Sequence, residues 1–186
     1  RTVRDFLTDD VGKIIIDDAK AHERVQELVG GISKRSKEKV QLYREAKPIF
    51  DQYNITRQLE TTFCRKVYLK SGGCIIIDET EALVAIDVNT GGHKGGKDQS
   101  STILKVNLEA AEEICRQLRL RNIGGLIVLD FIDMKSGRDR QDVFRRVRDG
   151  LRRDKAKTNI LPISHLGLME MTRQRHSESV QSTVYD

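Results

Sequence analysis

Two aspartates stand at the ends of strongly apolar segments. Leu83–Val88 is a nearly continuous apolar run, typical of a strand buried on both faces, and Asp87 interrupts it. A second apolar run begins at Gly124 and ends in Asp130. Burying a carboxylate is costly unless a cation or several hydrogen-bond donors meet it. Both aspartates are therefore candidate functional residues.

The segment between the two runs predicts how they pair. Its apolar residues recur at steps of three and four positions, at Leu104, Leu108, Ala111, Cys115 and Leu118. This period is typical of an amphipathic helix. A strand, a helix and a second strand in this order indicate a right-handed crossover with parallel pairing. We therefore expect Asp87 and Asp130 at the same edge of one sheet.

A glycine-rich loop follows the first of these strands. It lacks the Lys-Ser/Thr ending of a P-loop and the spacing of a dinucleotide-binding loop, which disfavours a nucleotide cofactor. Backbone amides freed by glycine, with lysines nearby, suit an RNA backbone. A lone loop histidine is nevertheless more often only solvent-facing. The candidate RNA-contacting residues here are Gly91, Gly92, His93, Lys94 and Lys97.

A helix predicted from about Gly137 to Ala156 is densely basic. Its apolar stripe is Val143, Val147 and Leu151, and Ser136 with Asp139 occupies capping-box-like positions. Its basic residues are Arg138, Arg140, Arg145, Arg146, Arg148, Arg152, Arg153 and Lys155. Because they outnumber the acidic residues, this pattern favours nucleic-acid contact over a solvated face with intrahelical ion pairs.

The composition is typical of a globular cytoplasmic protein. The chain has 186 residues, 38% of them hydrophobic, which is enough for a core, and its net charge of +5 indicates an anionic partner only weakly. Cys64, Cys74 and Cys115 are widely spaced, so we interpret them as reduced packing residues. No apolar run approaches the about 18 residues of a membrane span. The first residues resemble neither a signal peptide nor an initiating methionine context, so we expect a piece of a longer protein.

The remaining patterns predict a mixed α/β fold. Further strands are expected at Lys13–Asp17, Val40–Tyr43, Val67–Leu69, Cys74–Asp78, Ile160–Ile163 and Leu166–Met169. Further helices are expected at 1–7, from Ala19 to about Gly30, and once or twice within 47–63. The basic stretch Ser33–Lys39 is predicted as a solvated loop, with phosphate binding as the alternative.

Together these segments resemble the catalytic core of the ribonuclease E/G family. The resemblance covers the chain and is strongest from 66 to 178. It is carried by Ala85–Asn89, Asn107–Ala111, Gln117–Arg121, Gly124–Met134 and Gly167–Arg175.

The resemblance implies an endoribonuclease that uses Mg²⁺, or Mn²⁺ as a substitute, to cut single-stranded, often A/U-rich RNA. The downstream product would carry a 5′-phosphate. Residues 1–64 would be part of an RNase H-like subdomain, and 65–186 a DNase I-like catalytic subdomain with a mixed sheet and flanking helices. Asp87 and Asp130 match the metal-binding aspartates, and Asn89 the asparagine beside them. Family members act in RNA processing and decay and form homo-oligomers.

Magnesium chemistry agrees with this assignment. Mg²⁺ prefers octahedral oxygen coordination and keeps several waters, so one or two carboxylates suffice, and we favour one ion per site. Asn89 would orient Asp87 or the attacking water, or be a simple turn residue. Asp133 is either an acid behind the metal ligands or a turn residue. We interpret His165 and Glu170 as structural.

Some family features are not expected in this chain. The oligonucleotide-binding barrel and the paired-cysteine zinc link are absent from it, so no zinc is expected. Lys157 occupies the position of an arginine of the family's pocket for the RNA 5′ end, which makes it a further RNA-binding candidate. A second hypothesis is a non-catalytic RNA-binding or scaffold module, in which the acids only cap strands.

Overall fold

The computed structural model describes residues 3, 7, 11–31, 33–91 and 99–175. Most of the helix expected at 1–7 lies outside these residues, as do Gly92, His93, Lys94 and Lys97. The chain forms two compact units, residues 1–57 and 58–186. The division predicted from the sequence falls a few positions later, after residue 64.

The first unit contains a small parallel β-pair. Strands β1 (Ile14–Ile16) and β2 (Val40–Leu42) pair in parallel, and helix α1 (Ala19–Gly30) lies between them in sequence. Asp18 begins this helix, because its Oδ1 accepts the Ala21 N–H at 2.7 Å. These elements confirm the sequence prediction.

Short helices complete this part of the chain: α2 (Lys34–Lys37), α3 (Ile49–Gln52) and α4 (Ile55–Thr61), the last of which crosses into the second unit. The prediction of a solvated loop at Ser33–Lys39 was wrong about the backbone conformation. This stretch contains one helical turn, in which the Lys37 N–H donates to Ser33 O at 3.2 Å. Lysine and arginine are good helix formers, so a basic stretch without a glycine or proline can close a turn.

The second unit is built on a six-stranded mixed sheet. Its strands are β3 (Lys66–Tyr68), β4 (Cys74–Glu79), β5 (Val84–Asn89), β6 (Gly125–Asp130), β7 (Thr158–Ile160) and β8 (Leu168–Arg173). They lie in the order β3-β4-β5-β6-β8-β7. Among the strands that the structure describes in this sheet, only β5 and β6 pair in parallel, as predicted, and α5 (Gln99–Leu120) connects them. Helix α6 (Gly137–Leu151) follows β6.

The prediction was least accurate near the end of the chain. Helix α6 ends at Leu151 rather than near Ala156, since Asp154 forms a buried ion pair with Arg173. Strand β7 ends at Ile160, two residues before a proline that could not donate to the ladder. Strand β8 begins after Gly167, whose φ of +82° is a left-handed conformation that favours glycine.

The two faces of the sheet differ in how far they are buried by other elements. One face packs against α5 and α6, and its buried residues include Ile75, Ile86, Ile127, Leu129, Ala110, Ile114, Leu118, Val143 and Val147. The alternating strand positions point to the other side. We call this side the open face and define it by Lys66, Tyr68, Ile76, Asp87, Asn89, Leu126, Val128, Asp130 and Glu170, which are all exposed or partly exposed. Within the described part of the chain, no helix is long and apolar enough to cross a membrane.

Candidate active site

The two aspartates predicted from the sequence lie opposite each other. Asp87 of β5 pairs with Asp130 of β6 in the parallel register. Neighbouring strands are about 4.8 Å apart, and paired residues point to the same side, here the open face. The parallel crossover therefore brings both carboxylates to one place near the carboxyl ends of the strands.

The electrostatics of this pair favour a cation. The pKa of Asp130 is raised above its ordinary value, first by partial burial and then by the negative charges of Asp87 and Asp133. Each of these effects disfavours the ionised carboxylate. A bound cation would remove this penalty.

Asn89 holds one of the two carboxylates. Its Nδ2 donates to Asp87 Oδ2 at 2.7 Å. Asn89 is the last residue of β5 rather than part of a turn. Its amide therefore fixes one oxygen of Asp87 and leaves the other for a different partner.

A buried asparagine supports the loop after Asp130, and the sequence reasoning did not single it out. Asn107 of α5 is fully buried. Its Nδ2 donates to Ile132 O at 2.8 Å, and its Oδ1 accepts the Ile132 N–H at 3.1 Å. Both backbone groups of Ile132, between Asp130 and Asp133, are thereby fixed. A polar residue inside the apolar stripe of a helix was the available signal.

A cavity of about 280 Å³ adjoins Asp133. The beginning of α5 contributes Gln99, Ser100 and Ile103, and the beginning of α6 contributes Ser136 and Asp139. Ser136 caps α6 as predicted, because its Oγ accepts the Asp139 N–H at 3.3 Å. Asp133 therefore lines a space that could hold part of a ligand.

Comparison with known proteins decides the family. The family model described as "Ribonuclease E/G family" matches residues 1–176. This chain belongs to the ribonuclease E/G family. It is 47% identical to Ribonuclease E of Haemophilus influenzae, over 97% of this chain and 19% of that protein. It is 46% identical to Ribonuclease E of Escherichia coli K12, over 97% of this chain and 17% of that protein. It is 41% identical to Ribonuclease G of Salmonella typhimurium, over 97% of this chain and 37% of that protein.

These shares show that the chain spans less than two fifths of each of these ribonuclease E/G relatives. The resemblance found in the sequence is confirmed at the level of the family.

The basic residues predicted to contact RNA in this ribonuclease E/G chain have different surroundings. Arg140 Nη1 donates to Met134 O at 2.5 Å, so this side chain supports the loop after Asp133. Arg138 is exposed in the first turn of α6. Lys157 directly precedes β7, and β8 separates it from the Gly125 end of β6. At about 3.3 Å per residue, that end lies roughly 17 Å from Asp130.

Several other arginines in α6 or directly after it are paired. Arg145 lies 3.6 Å from Asp142, and Arg152 lies 3.6 Å from Asp149. Arg146 pairs with Glu112 of α5. The solvated-face interpretation therefore describes part of this helix.

The structure also shows the surroundings of other residues that the sequence singled out. Gly91 has a φ of +69°, and a Cβ there would lie 2.0 Å from Gly72 O, so close packing requires glycine. Cys64 is exposed, so its prediction as a packing residue was wrong, whereas Cys74 and Cys115 are buried as expected. His165 is exposed in the turn before β8, and Glu170 is exposed opposite Val128.

The donor set fits a hard divalent cation that keeps its waters. Among the described residues, no group of three or more His, Cys, Asp and Glu side chains could hold a metal ion by itself. Mg²⁺ is commonly bound through one or two carboxylates and substrate phosphate rather than by a complete protein cage. Asp87 and Asp130 would supply those carboxylates.

Proposed function

We propose that this chain is the catalytic part of a magnesium-dependent endoribonuclease. Its substrate would be single-stranded A/U-rich RNA, cut to leave 5′-phosphate products. The observation that carries the proposal is the pairing of Asp87 with Asp130 on the open face of the sheet. Membership of the ribonuclease E/G family, whose curated relatives are named Ribonuclease E and Ribonuclease G, supports it. The assignment of an RNase H-like and a DNase I-like subdomain belongs to the same proposal.

Asp87 and Asp130 would hold the ion. When bound, Mg²⁺ supplies charge stabilisation at the scissile phosphate and activation of the attacking water. Asn89 keeps Asp87 in one orientation through its 2.7 Å hydrogen bond. Asn107 keeps the loop after Asp130 in place through Ile132.

The reaction is a hydrolysis of the P–O3′ bond. Water adds its oxygen to phosphorus, and the P–O3′ bond breaks. One proton of the water ends on the 3′-oxygen, and the other is released to solvent. The upstream product therefore ends in a 3′-hydroxyl, and the downstream product begins with a 5′-phosphate.

The test is cleavage of a fluorescent single-stranded A/U-rich RNA with Mg²⁺ or Mn²⁺. We expect Asp87→Asn and Asp130→Asn each to lower the rate by more than about 100-fold, the upper end of losses from residues that only orient metal ligands. Glu170→Gln is the matched control, because it removes one negative charge from the same open face without touching the pair.

Two results would count against the proposal. Cutting that survives both aspartate substitutions would exclude this pair as the site. RNA binding without any cutting by the wild-type chain would favour the binding-module hypothesis. Water-proton relaxation with Mn²⁺ adds a readout that does not need turnover, since Asp130→Asn should weaken ion binding and Glu170→Gln should not.

A further inference from the structure

A lysine on the edge strand lies in the same row as the two aspartates. Lys66 of β3 pairs with Ile76 of β4, and Ile76 pairs with Asp87 of β5. Paired residues of neighbouring strands point to the same side of a sheet. Lys66, Asp87 and Asp130 therefore project from one line across the open face.

Tyr68 occupies the next row on this face. It pairs with Cys74, which pairs with Asn89. Two strand spacings of about 4.8 Å put the backbones of Tyr68 and Asn89 roughly 10 Å apart. That distance is about three nucleotide steps along the axis of a stacked strand, which rises about 3.4 Å per nucleotide.

The two edge-strand side chains contact each other. Lys66 Nζ lies 4.9 Å from the centre of the Tyr68 ring, a cation–π distance. The residue Tyr68 is 74% exposed. An edge lysine discourages pairing with another strand, but this does not account for an exposed aromatic ring beside it.

The pair adds a positive charge beside an acidic part of the open face. Asp87, Asp130 and Glu170 make the open face acidic around the candidate site. Arg65, also near this row, is bonded to Asp78. Lys66 therefore brings positive charge to the row of the aspartates.

We propose that Lys66 and Tyr68 form a nucleotide-binding subsite for the RNA strand. Tyr68 stacks one base, and Lys66 contacts a neighbouring phosphate. Every base has an aromatic face, so this subsite accepts any of the four bases. The base must be unpaired to reach the ring, so the subsite requires a single strand. The proposal rests on the proposed function, because it takes the strand at Asp87 and Asp130 as its reference point.

Binding is measured separately from cleavage. A labelled single-stranded A/U-rich RNA is titrated with the chain in EDTA and followed by fluorescence anisotropy. Tyr68→Ala and Tyr68→Leu should weaken binding by roughly 5- to 150-fold, the range for loss of one base–aromatic stack. Tyr68→Phe keeps the ring and should bind like the wild type. Lys66→Gln should reduce the salt dependence of binding by about 0.7, the value for one phosphate contact to a single strand.

The matched control is Leu126→Ala. Leu126 is 44% exposed on the same face, at the end of β6 away from Asp130. Its truncation removes an exposed apolar side chain outside the subsite and should leave RNA affinity unchanged.

Abasic RNA tests stacking directly. One base at a time is removed from the RNA while the backbone is kept. At the stacked position, removal should weaken wild-type binding, and Tyr68→Ala should then have no further effect. This coupling isolates the base–tyrosine contact from other consequences of the substitution.

The outcomes separate the two proposals. If Asp130→Asn abolishes cutting while Tyr68→Ala and Tyr68→Leu bind RNA normally, the subsite is overturned and the nuclease proposal stands. If the tyrosine variants weaken binding but the wild-type chain does not cut RNA, the subsite stands and the nuclease proposal falls. Altered self-association of Tyr68→Ala with unchanged RNA affinity would overturn the subsite in favour of a protein contact.

Discussion

The two faces of the six-stranded sheet follow different physical rules. The face against α5 and α6 excludes water, and Ile75, Ile86 and Leu129 there are fully buried. One buried charge on this side is paired, since Arg173 and Asp154 meet at 2.7 Å. On the open face, Asp87 and Asp130 are instead neighbours of like charge. The covered face is arranged for stability, whereas the open face keeps an electrostatic penalty that a ligand can relieve.

The largest expected effect concerns the buried ion pair of the covered face. Although burial alone would raise it, hydrogen bonds from Arg173 and the Ala156 N–H hold the pKa of Asp154 below its ordinary value. Arg173→Met would leave a buried carboxylate without its cation, and we expect a loss of about 3–5 kcal/mol in the free energy of unfolding at neutral pH. Urea denaturation measures this loss.

The same pair gives a pH dependence with a defined sign. The pKa of Asp154 is lowered in the folded state, so its stabilisation is present above the ordinary value of 3.8 and is lost as pH falls through the folded-state pKa. In the Arg173→Met variant, this pH-dependent contribution to the free energy of unfolding should be absent. The double variant Arg173→Met/Asp154→Leu should regain most of the stability, and failure to regain it would show that the pair is not the cause.

A matched pair of leucines on β6 sharpens the comparison of the faces. Leu129 is fully buried on the covered face, whereas Leu126 is 44% exposed on the open face. We expect Leu129→Ala to lower the free energy of unfolding by about 2–5 kcal/mol and Leu126→Ala by less than about 1 kcal/mol. Equal losses in urea denaturation would mean that the open face is covered in solution.

The smallest expected effect concerns the reactivity of the three cysteine thiols. Burial raises the pKa of the Cys115 thiol to about 11, and Cys74 is also buried. Cys64 is exposed. With iodoacetamide under native conditions, mass spectrometry should therefore find label on Cys64, and on Cys74 and Cys115 only after unfolding. Native labelling of Cys74 would show that the open side of β4 is more accessible than its burial indicates.

Much of the second unit was predictable because its patterns are local. The alternation and apolar runs located β3, β4, β5 and β6 to within two residues at both ends, and the helical period located α5 and α6. Periodicity failed where a tertiary contact overrode it, as in the end of α6 at Leu151, where Asp154 turns toward Arg173. Periodicity also did not show that the Arg140 side chain donates a hydrogen bond to Met134 O, in the loop after Asp133.

The candidate site divides in the same way. Asp87 and Asp130 were found because each interrupts or ends an apolar run, a signal that one strand carries by itself. Lys66 and Tyr68 were missed, although they occupy the exposed positions of an alternating strand. Their relevance depends on pairing across β4, which lies outside their own segment.

The strand–helix–strand order was enough to place two carboxylates at one edge of a sheet, because a crossover through a helix lets the two strands run parallel, and chain chirality makes that crossover right-handed. The resemblance was enough to indicate the family, because it rests on segments spread along the whole chain. Tertiary structure alone decided that Asp87 faces Asp130, that Lys66 shares their row and that Asn107 reaches Ile132. Register between distant strands is set by how all faces pack together, and a one-residue slip would turn every side chain to the other face.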